Sequence, residues 1–132
     1  MPNNAILCVD DEEIILKCLG DQLRRNFGDQ YIYEFAESAD EALEVIDELN
    51  KDEVSIILIV SDWLMPGMKG DEFLIRVHRK FPGIVKVMLT GHADIHAIER
   101  ARKDADLHRC ISKPWTEEEL IEAMTSGWDK NS

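Results

Sequence analysis

The chain has little of what marks secreted, metal-cluster or membrane proteins. Its three cysteines, Cys8, Cys18 and Cys110, are odd in number and widely spaced, which favours neither a disulfide framework nor a zinc-binding repeat. We interpret them as buried, reduced thiols. No apolar run approaches the roughly 20 residues needed to cross a bilayer, and the N-terminus lacks a basic segment followed by an apolar one. We therefore expect a cytoplasmic protein that does not use a membrane.

Positive charge is also scarce. Fifteen Lys and Arg residues stand against 27 Asp and Glu residues, which gives a formal net charge of -12. This charge repels phosphate backbones, and no dense basic cluster offsets it, so direct binding of nucleic acid by this segment is excluded. The 132 residues, 45% of them hydrophobic, are enough for one domain and too few to expect two, so we predict a single domain over residues 1–132.

Short apolar runs alternate with longer segments of helical period, which is the pattern of strands joined by crossover helices. Five such pairs are present. The predicted strands are Ala5 to Val9, Tyr31 to Ala36, Ile56 to Ser61, Val85 to Leu89 and Arg109 to Ser112. The pattern therefore predicts an α/β fold.

The predicted helices are marked by apolar residues at helical spacing and by caps. Gly28 should end the first helix, Ser38 to Glu41 is a capping box for the second, and Thr116 to Glu119 is one for the fifth. The fourth helix, Asp94 to Asp104, has only a thin apolar stripe. The residues expected to face inward in the first and fourth helices are Ile15, Leu19, Leu23 and Phe27, and Ile95, Ile98 and Ala101.

Five strand–helix units joined by right-handed crossovers most simply give a doubly wound, open parallel sheet with helices on both faces. We favour a flavodoxin-like (βα)5 sheet with strand order 2-1-3-4-5, although the pattern alone leaves other orders open. In such a sheet, ligands bind outside the carboxyl ends of the strands, between strands 1 and 3.

Polar residues of possible chemical importance all fall at that edge. Asp10 and Asp11 end strand 1, Asp62 ends strand 3, Thr90 ends strand 4 and Lys113 follows strand 5. One such carboxylate alone would be read as a helix cap. Three crowded carboxylates should instead bind a cation, and an oxygen-only site suits Mg²⁺. Phosphoryl transfer needs positioning and positive charge, which the ion, Lys113 and the Thr90 hydroxyl would supply, with Asp62 as the acceptor.

Four segments of the sequence resemble the signatures of response-regulator receiver domains, the CheY-like domains of two-component signalling. They are Cys8-Val9-Asp10-Asp11-Glu12, Ser61 to Gly70, Met88-Leu89-Thr90-Gly91 and Ser112-Lys113-Pro114-Trp115. The likeness covers nearly the whole chain. It implies that Asp62 is both the phosphorylation site and a Mg²⁺ ligand, that Asp11 is a direct ligand and that Asp10 binds through water. The backbone carbonyl of Leu64 would complete the protein ligands, and Mn²⁺ is an alternative ion.

The resemblance also implies how the phosphoryl group is held. Thr90 and Lys113 would bind it, together with the backbone N–H groups of Trp63 and Gly91, and the Lys113–Pro114 bond would be cis. Thr90 would also report phosphorylation to the rest of the domain as a switch residue.

Leu64 and His92 occupy places that tune phosphate lifetime in related receivers, although both can equally be read as loop residues. The sequence departs from the family at Cys110, where receivers usually carry a Tyr or Phe that swings inward on activation. His108 or Trp115 could substitute for the missing aromatic residue. Redox sensing by Cys110 and zinc binding by His92 with His96 are weaker readings.

The function implied by the resemblance is a phosphorylation-dependent switch. A sensor histidine kinase or a phosphotransfer protein would donate the phosphoryl group, and the surface of helix 4, strand 5 and helix 5 would change to control an output domain or a downstream effector. A phosphorylation-dependent homodimer is a further expectation. The domain would not be an enzyme beyond catalysing its own phosphoryl transfer and dephosphorylation.

Three other functions compete with this interpretation. A haloacid-dehalogenase-type phosphatase needs a second Asp two residues after the first, as a general acid. Two residues after Asp62 the chain has Leu64, and Glu12, two residues after Asp10, is a poor replacement for the missing Asp. A flavodoxin-like FMN carrier needs a phosphate loop where this chain has Asp10-Asp11-Glu12-Glu13. A docking-only pseudo-receiver is disfavoured because every required acid, hydroxyl and amine is present.

Overall fold

Each apolar run forms a strand and each segment of helical period forms a helix. The computed structural model describes residues 3–91 and 94–131. The strands are β1 (Asn4–Val9), β2 (Ile32–Ala36), β3 (Ser55–Asp62), β4 (Val85–Thr90) and β5 (Arg109–Ser112). The helices are α1 (Glu13–Phe27), α2 (Ala39–Lys51), α3 (Gly70–Lys80), α4 (Ile95–Ala105) and α5 (Glu117–Asn131), and a short 3-10 helix (Gly28–Gln30) follows α1.

The five strands form one parallel sheet in the order β2-β1-β3-β4-β5. The flavodoxin-like order predicted from the sequence is therefore confirmed. Asp62, the last residue of β3, is paired with Leu89 of β4, and Thr90 is paired with Ser112 of β5. This register brings the carboxyl ends of β3, β4 and β5 to one edge. Within the described residues, no helix is both long and apolar enough to cross a membrane.

The hydrophobic core has two halves, one on each face of the sheet. Side chains of each strand alternate between them, since successive residues of a strand point to opposite faces. Leu7 and Val9 pack on the face covered by α2, α3 and α4, whereas Ile6 and Cys8 pack on the face covered by α1 and α5. Because both faces are covered, the central strands are apolar almost throughout, and polar residues occur mainly where the strands end.

The caps predicted from the sequence are confirmed, except that the capping box of α2 is only half formed, since the Glu41 carboxylate accepts from the N–H of Glu37 at 3.3 Å. Gly28, with a positive φ of 56°, follows α1 and donates its N–H to the carbonyl of Arg24. The Ser38 hydroxyl accepts from the N–H of Glu41 at 3.1 Å at the start of α2. Before α5, Thr116 Oγ1 accepts from the N–H of Glu119 at 3.1 Å, and the Glu119 carboxylate accepts from the N–H of Thr116 at 3.2 Å.

The inward face predicted for α4 is partly wrong. Ile95 is 64% exposed, and the buried stripe is formed by Ala97, Ala101 and Ala105, with Ile98 only partly buried. Alanines four residues apart lie on one face of a helix and allow the backbone to approach its neighbours closely. Ile95 lies in the first turn, off this face. Of the two isoleucines in this helix, Ile95 therefore did not mark its buried side.

The expectation that all three cysteines are buried is also wrong in part. All three are free thiols, as expected; Cys8 is buried in β1 and Cys110 is half-buried in β5, but Cys18 is exposed. Cys18 lies on the outer face of α1, whereas its neighbour Leu19 is fully buried. The four-residue spacing of Leu19 and Leu23 sets which side of α1 faces the core, and Cys18 lies off that side.

Candidate functional site

Three carboxylates meet at the carboxyl edge of the sheet. Asp10 and Asp11 directly follow β1, and Asp62 is the last residue of the neighbouring strand β3. An oxygen atom from each lies within 4.8 Å of the others. Asp10 is fully buried, Asp62 is 4% exposed and Asp11 is exposed. The group therefore has a buried side and a side open to solvent.

Lys113 reaches this group from the end of β5. Its ammonium Nζ lies 2.9 Å from Oδ2 of Asp10 and 3.1 Å from Oδ1 of Asp62. Its backbone N–H donates to the carbonyl of Thr90 at 2.9 Å, so the segment after β5 continues alongside the end of β4. The peptide bond between Lys113 and Pro114 is cis, as the resemblance implied. The structure thus brings Lys113, Asp10 and Asp62 into direct contact.

The loop that carries Lys113 is tied to α1. The indole N–H of Trp115 donates to the side-chain oxygen of Gln22 at 2.8 Å. Glu117 accepts from Arg25 at 2.6 Å and from Asn26 at 2.9 Å. Trp115 therefore packs on the α1 and α5 side of the sheet, away from the face of position 110 for which it was considered as a substitute. Gln22 and its neighbours gave no signal in the sequence, because they look like ordinary polar positions of an amphipathic helix.

Burial and repulsion act together on the charge of Asp62. Burial raises the pKa of its carboxyl group to about 6, and the nearby carboxylates of Asp10 and Asp11 also raise it, while Lys113 partly offsets both effects. For Lys113, burial lowers the pKa, but its bonds to Asp10 and Asp62 outweigh burial and leave the pKa raised. The lysine therefore stays protonated, and one ammonium does not balance the three acids.

The donor set fits a hard divalent cation. All of its oxygens come from three carboxylates, and oxygen ligands are the ones that Mg²⁺ prefers. The group found in the described residues contains no sulfur or imidazole ligand. Burial and the neighbouring carboxylates raise the pKa of Asp62, so a cation bound beside it would favour its ionised form. Leu64, whose backbone carbonyl was predicted as a ligand, lies in the loop after β3 with its side chain 50% exposed.

The turn after Asp62 is built against the start of α3. The backbone oxygen of Trp63 accepts from the N–H of Gly70 at 2.8 Å, and its own N–H donates to the carbonyl of Leu89 at 2.9 Å. The N–H of Trp63, which we predicted to bind the phosphoryl group, is thus directed at β4 in this structure. Its direction follows from the last pair of the β3–β4 ladder, Asp62 with Leu89, whose parallel hydrogen bonding uses the N–H of the next residue. A side chain at Gly70 would collide with the carbonyl oxygen of Asp62.

The remaining predicted residues lie around this centre. Thr90 is 5% exposed at the end of β4, one residue after the strand partner of Asp62, and Gly91 follows it at the surface. His92 lies outside the described residues. His96, considered as a zinc ligand together with His92, is exposed in the first turn of α4. His108, considered as a substitute for the aromatic residue at position 110, contacts Ser126 of α5 at 2.9 Å.

Cys110 lies beside Met88 of β4 and packs against the core half covered by α2, α3 and α4. Burial raises the pKa of its thiol, and Arg102 only partly opposes this effect. A protonated thiol is a poor nucleophile, which argues against the redox-sensor interpretation.

Comparison with known proteins gives the family of this arrangement. A family model described as "Response regulator receiver domain" matches residues 6–125. The hydrogenase transcriptional regulatory protein HoxA of Cupriavidus necator is 34% identical over 120 residues, which is 91% of this chain but only 23% of HoxA. The chain therefore spans about a quarter of that relative's length.

Two solved structures show the same fold. A signal receiver domain of an HD domain-containing protein from Pseudomonas fluorescens Pf-5 is 30% identical with a TM-score of 0.85, over 97% of this chain and 96% of that one. The beryllofluoride-activated NtrC4 receiver domain dimer is 26% identical with a TM-score of 0.83, over 97% and 98% of the two chains. With the acidic group at the sheet edge and the family match over most of its length, this chain belongs to the response regulator receiver domain family.

Proposed function

We propose that this receiver domain accepts a phosphoryl group on Asp62 from a sensor histidine kinase or a phosphotransfer protein. The observation that supports this most is the meeting of Asp10, Asp11 and Asp62 within 4.8 Å, with Lys113 Nζ 3.1 Å from Oδ1 of Asp62. Such a group combines a carboxylate nucleophile, a place for a divalent cation and a fixed ammonium. These are the parts that phosphoryl transfer requires.

In the proposed reaction, a carboxylate oxygen of Asp62 forms a bond to phosphorus while the bond from phosphorus to the donor imidazole nitrogen breaks. The electron pair of that bond stays with the imidazole, which becomes neutral after taking up a proton. Lys113 is placed to stabilise negative charge on the transferred oxygens, and the Thr90 hydroxyl is a candidate donor at the neighbouring strand end. A Mg²⁺ or Mn²⁺ ion held by Asp10, Asp11 and Asp62 would supply further charge neutralisation.

The proposed output is a change in the surface of α4, β5 and α5. Thr90 pairs with Ser112 of β5, and α4 and α5 precede and follow β5 in the chain, so a change at Thr90 can reach them. The target would be an output domain or a separate effector, and the dimeric state in the name of the NtrC4 structure supports a phosphorylation-dependent homodimer as one form of output. The domain would act on no substrate other than its own phosphoryl group, and its cytoplasmic location stays a prediction.

The experiment is phosphorylation of the purified chain with acetyl phosphate and Mg²⁺, followed by intact-mass spectrometry. We expect one phosphoryl adduct that is labile to hydroxylamine and needs the divalent ion. Asp62→Asn should give no adduct. Asp40→Asn removes an exposed acid from α2, is the matched control and should label like the wild type. Equal labelling of Asp62→Asn and wild type would overturn the assignment of the acceptor.

A further inference from the structure

A buried carboxylate outside the acidic group lies between the phosphoacceptor turn and α4. Asp71 is the second residue of α3 and is 6% exposed. Its Oδ1 accepts from the indole N–H of Trp63 at 3.2 Å, and its Oδ2 lies 3.0 Å from Nη2 of Arg100 in α4. The two oxygens therefore bind two different parts of the fold. A buried carboxylate is stable only with such partners.

Trp63 is held firmly at its end of this connection. Its backbone N–H and carbonyl are bonded to Leu89 and Gly70, and the ammonium of Lys69 lies 5.3 Å from the centre of its ring. The side chain is 9% exposed. Because Trp63 directly follows Asp62, a displacement of the Asp62 main chain is carried to the indole.

Arg100 is the other end of the connection. It lies in the middle of α4, and its side chain is 53% exposed, so its guanidinium is held at the surface by the buried carboxylate of Asp71. The buried contacts of α4 itself come from alanines, which hold the helix with little interlocking area. An ion pair to a buried partner can therefore contribute much to where α4 lies.

We infer that Asp71 is a positioning residue that couples Asp62 to α4 through Trp63 on one side and Arg100 on the other. The inference rests on the proposed function, since it concerns how a phosphoryl group on Asp62 reaches α4. It adds a route that does not pass through Thr90 and Cys110. Coupling between two sites is reciprocal, so a change at Arg100 in α4 must also alter the surroundings of Trp63.

The first test is hydrogen–deuterium exchange of residues 95–105 with and without Mg²⁺ and beryllofluoride. Asp71→Asn keeps an oxygen that accepts from Trp63 but loses the charge that pairs with Arg100, and Arg100→Gln breaks the pair from the other side. We expect the change in exchange on adding beryllofluoride to fall to less than roughly half of the wild-type value in both variants. Glu72→Gln is the matched control, because it removes a neighbouring acid that pairs with Arg76 within α3, and it should keep the wild-type change.

The second test reads Trp63 directly by the NMR resonance of its indole N–H, assigned with Trp63→Phe. Arg100→Gln should shift this resonance although Arg100 is joined to Trp63 only through Asp71, and Glu72→Gln should leave it in place. A role of Arg100 confined to the stability of α4 would leave the resonance unchanged. Arg100 is half exposed, so this variant should fold even where Asp71→Asn does not.

The outcomes separate the inference from the proposed function. If the wild type binds no beryllofluoride and forms no adduct with acetyl phosphate, the proposed function fails. If the wild type forms the adduct but Arg100→Gln keeps both the full exchange response and the wild-type indole resonance, the proposed function stands and the role of Asp71 is refuted. Labelling of Asp62 itself should persist in both variants, because neither residue touches the acidic group.

Discussion

The ammonium nitrogen of Lys113 lies 2.9 Å from Oδ2 of Asp10, although the two residues are 103 positions apart in the sequence. Asp10 is fully buried, so its charge depends on this cation and on the N–H of Glu12, which it accepts at 2.8 Å. The contact joins the segment after β5 to the end of β1 across the carboxyl edge of the sheet. It also makes the stability of the protein sensitive to the site.

We expect Lys113→Ala to lower the free energy of unfolding by about 1–3 kcal/mol at pH 7, because a buried carboxylate is left without its cation. Urea denaturation in EDTA measures this effect. Arg76→Ala is the control, since it removes an arginine whose ion pair with Glu72 is about half exposed, and the midpoint should hardly move. An equal loss in both variants would contradict the buried pairing.

Asp62→Asn should stabilise the protein at pH 7 in EDTA. The folded state holds the pKa of Asp62 at about 6, above its ordinary value of 3.8, so between these values the folded state binds more protons than the unfolded state. Stability therefore falls as pH rises through this window, and the ionised carboxylate is a cost at pH 7. The variant avoids this cost, and its melting temperature should be higher by a few degrees.

Thermal unfolding of wild type and Asp62→Asn at pH 7 and pH 4.5 measures the difference. The difference in melting temperature between the two proteins should be smaller at pH 4.5, where Asp62 in the folded wild type is mostly protonated. Mg²⁺ should raise the melting temperature of the wild type at pH 7, as any ligand of the folded state does. A lower melting temperature for Asp62→Asn at pH 7 would show that the Lys113 bond outweighs burial and repulsion.

Gly70→Ala should destabilise the fold by about 1–3 kcal/mol, as overpacking does, because the added methyl group would meet the carbonyl oxygen of Asp62 and lie 2.9 Å from Cα of Trp63. Both are backbone atoms of the segment that holds Asp62 and cannot rotate away. Gly83→Ala is the control, since a methyl group there meets nothing within 4 Å. Urea denaturation compares the two, and a stable Gly70→Ala protein would show that α3 can move away from β3.

The three thiols should react with iodoacetamide in the order Cys18, Cys110, Cys8. Cys18 is exposed, Cys110 is half-buried and Cys8 is fully buried. Burial also raises the pKa of the Cys8 thiol to about 12, so very little reactive thiolate forms. Peptide mass spectrometry at successive times gives the order, and early modification of Cys8 would mean that the sheet opens readily.

The sheet and the acidic group were predictable because their signals are local. Each strand is a short apolar run, and Asp10, Asp62 and Thr90 each stand at the end of one, so the parallel arrangement alone places them on one edge. By contrast, Asp71 looks like an ordinary first-turn acid, and its partner Arg100 is 29 positions later. Contacts of this kind depend on how two helices lie on the sheet, which no sequence period encodes.

Of the three alanines in the buried stripe of α4, only Ala101 was predicted to face inward, and the other two were missed for a related reason. Alanine is only weakly apolar, so Ala97, Ala101 and Ala105 are less conspicuous in the sequence than Ile95, which the structure leaves exposed. The tie between Trp115 and Gln22 joins residues 93 positions apart and depends on the path of the loop after β5. The position of Trp63's N–H likewise follows from the exact length of the β3 ladder.

The strand order divides the residues of the proposed phosphorylation site among separate βα units. The acids come from β1 and β3, the hydroxyl from β4 and the ammonium from the segment beyond β5. No fragment that ends before β5 contains the lysine, and none that begins after Asp11 contains the paired acids. Incorporation of phosphate on Asp62 during refolding or synthesis would therefore report that the sheet has assembled from β1 through the segment after β5.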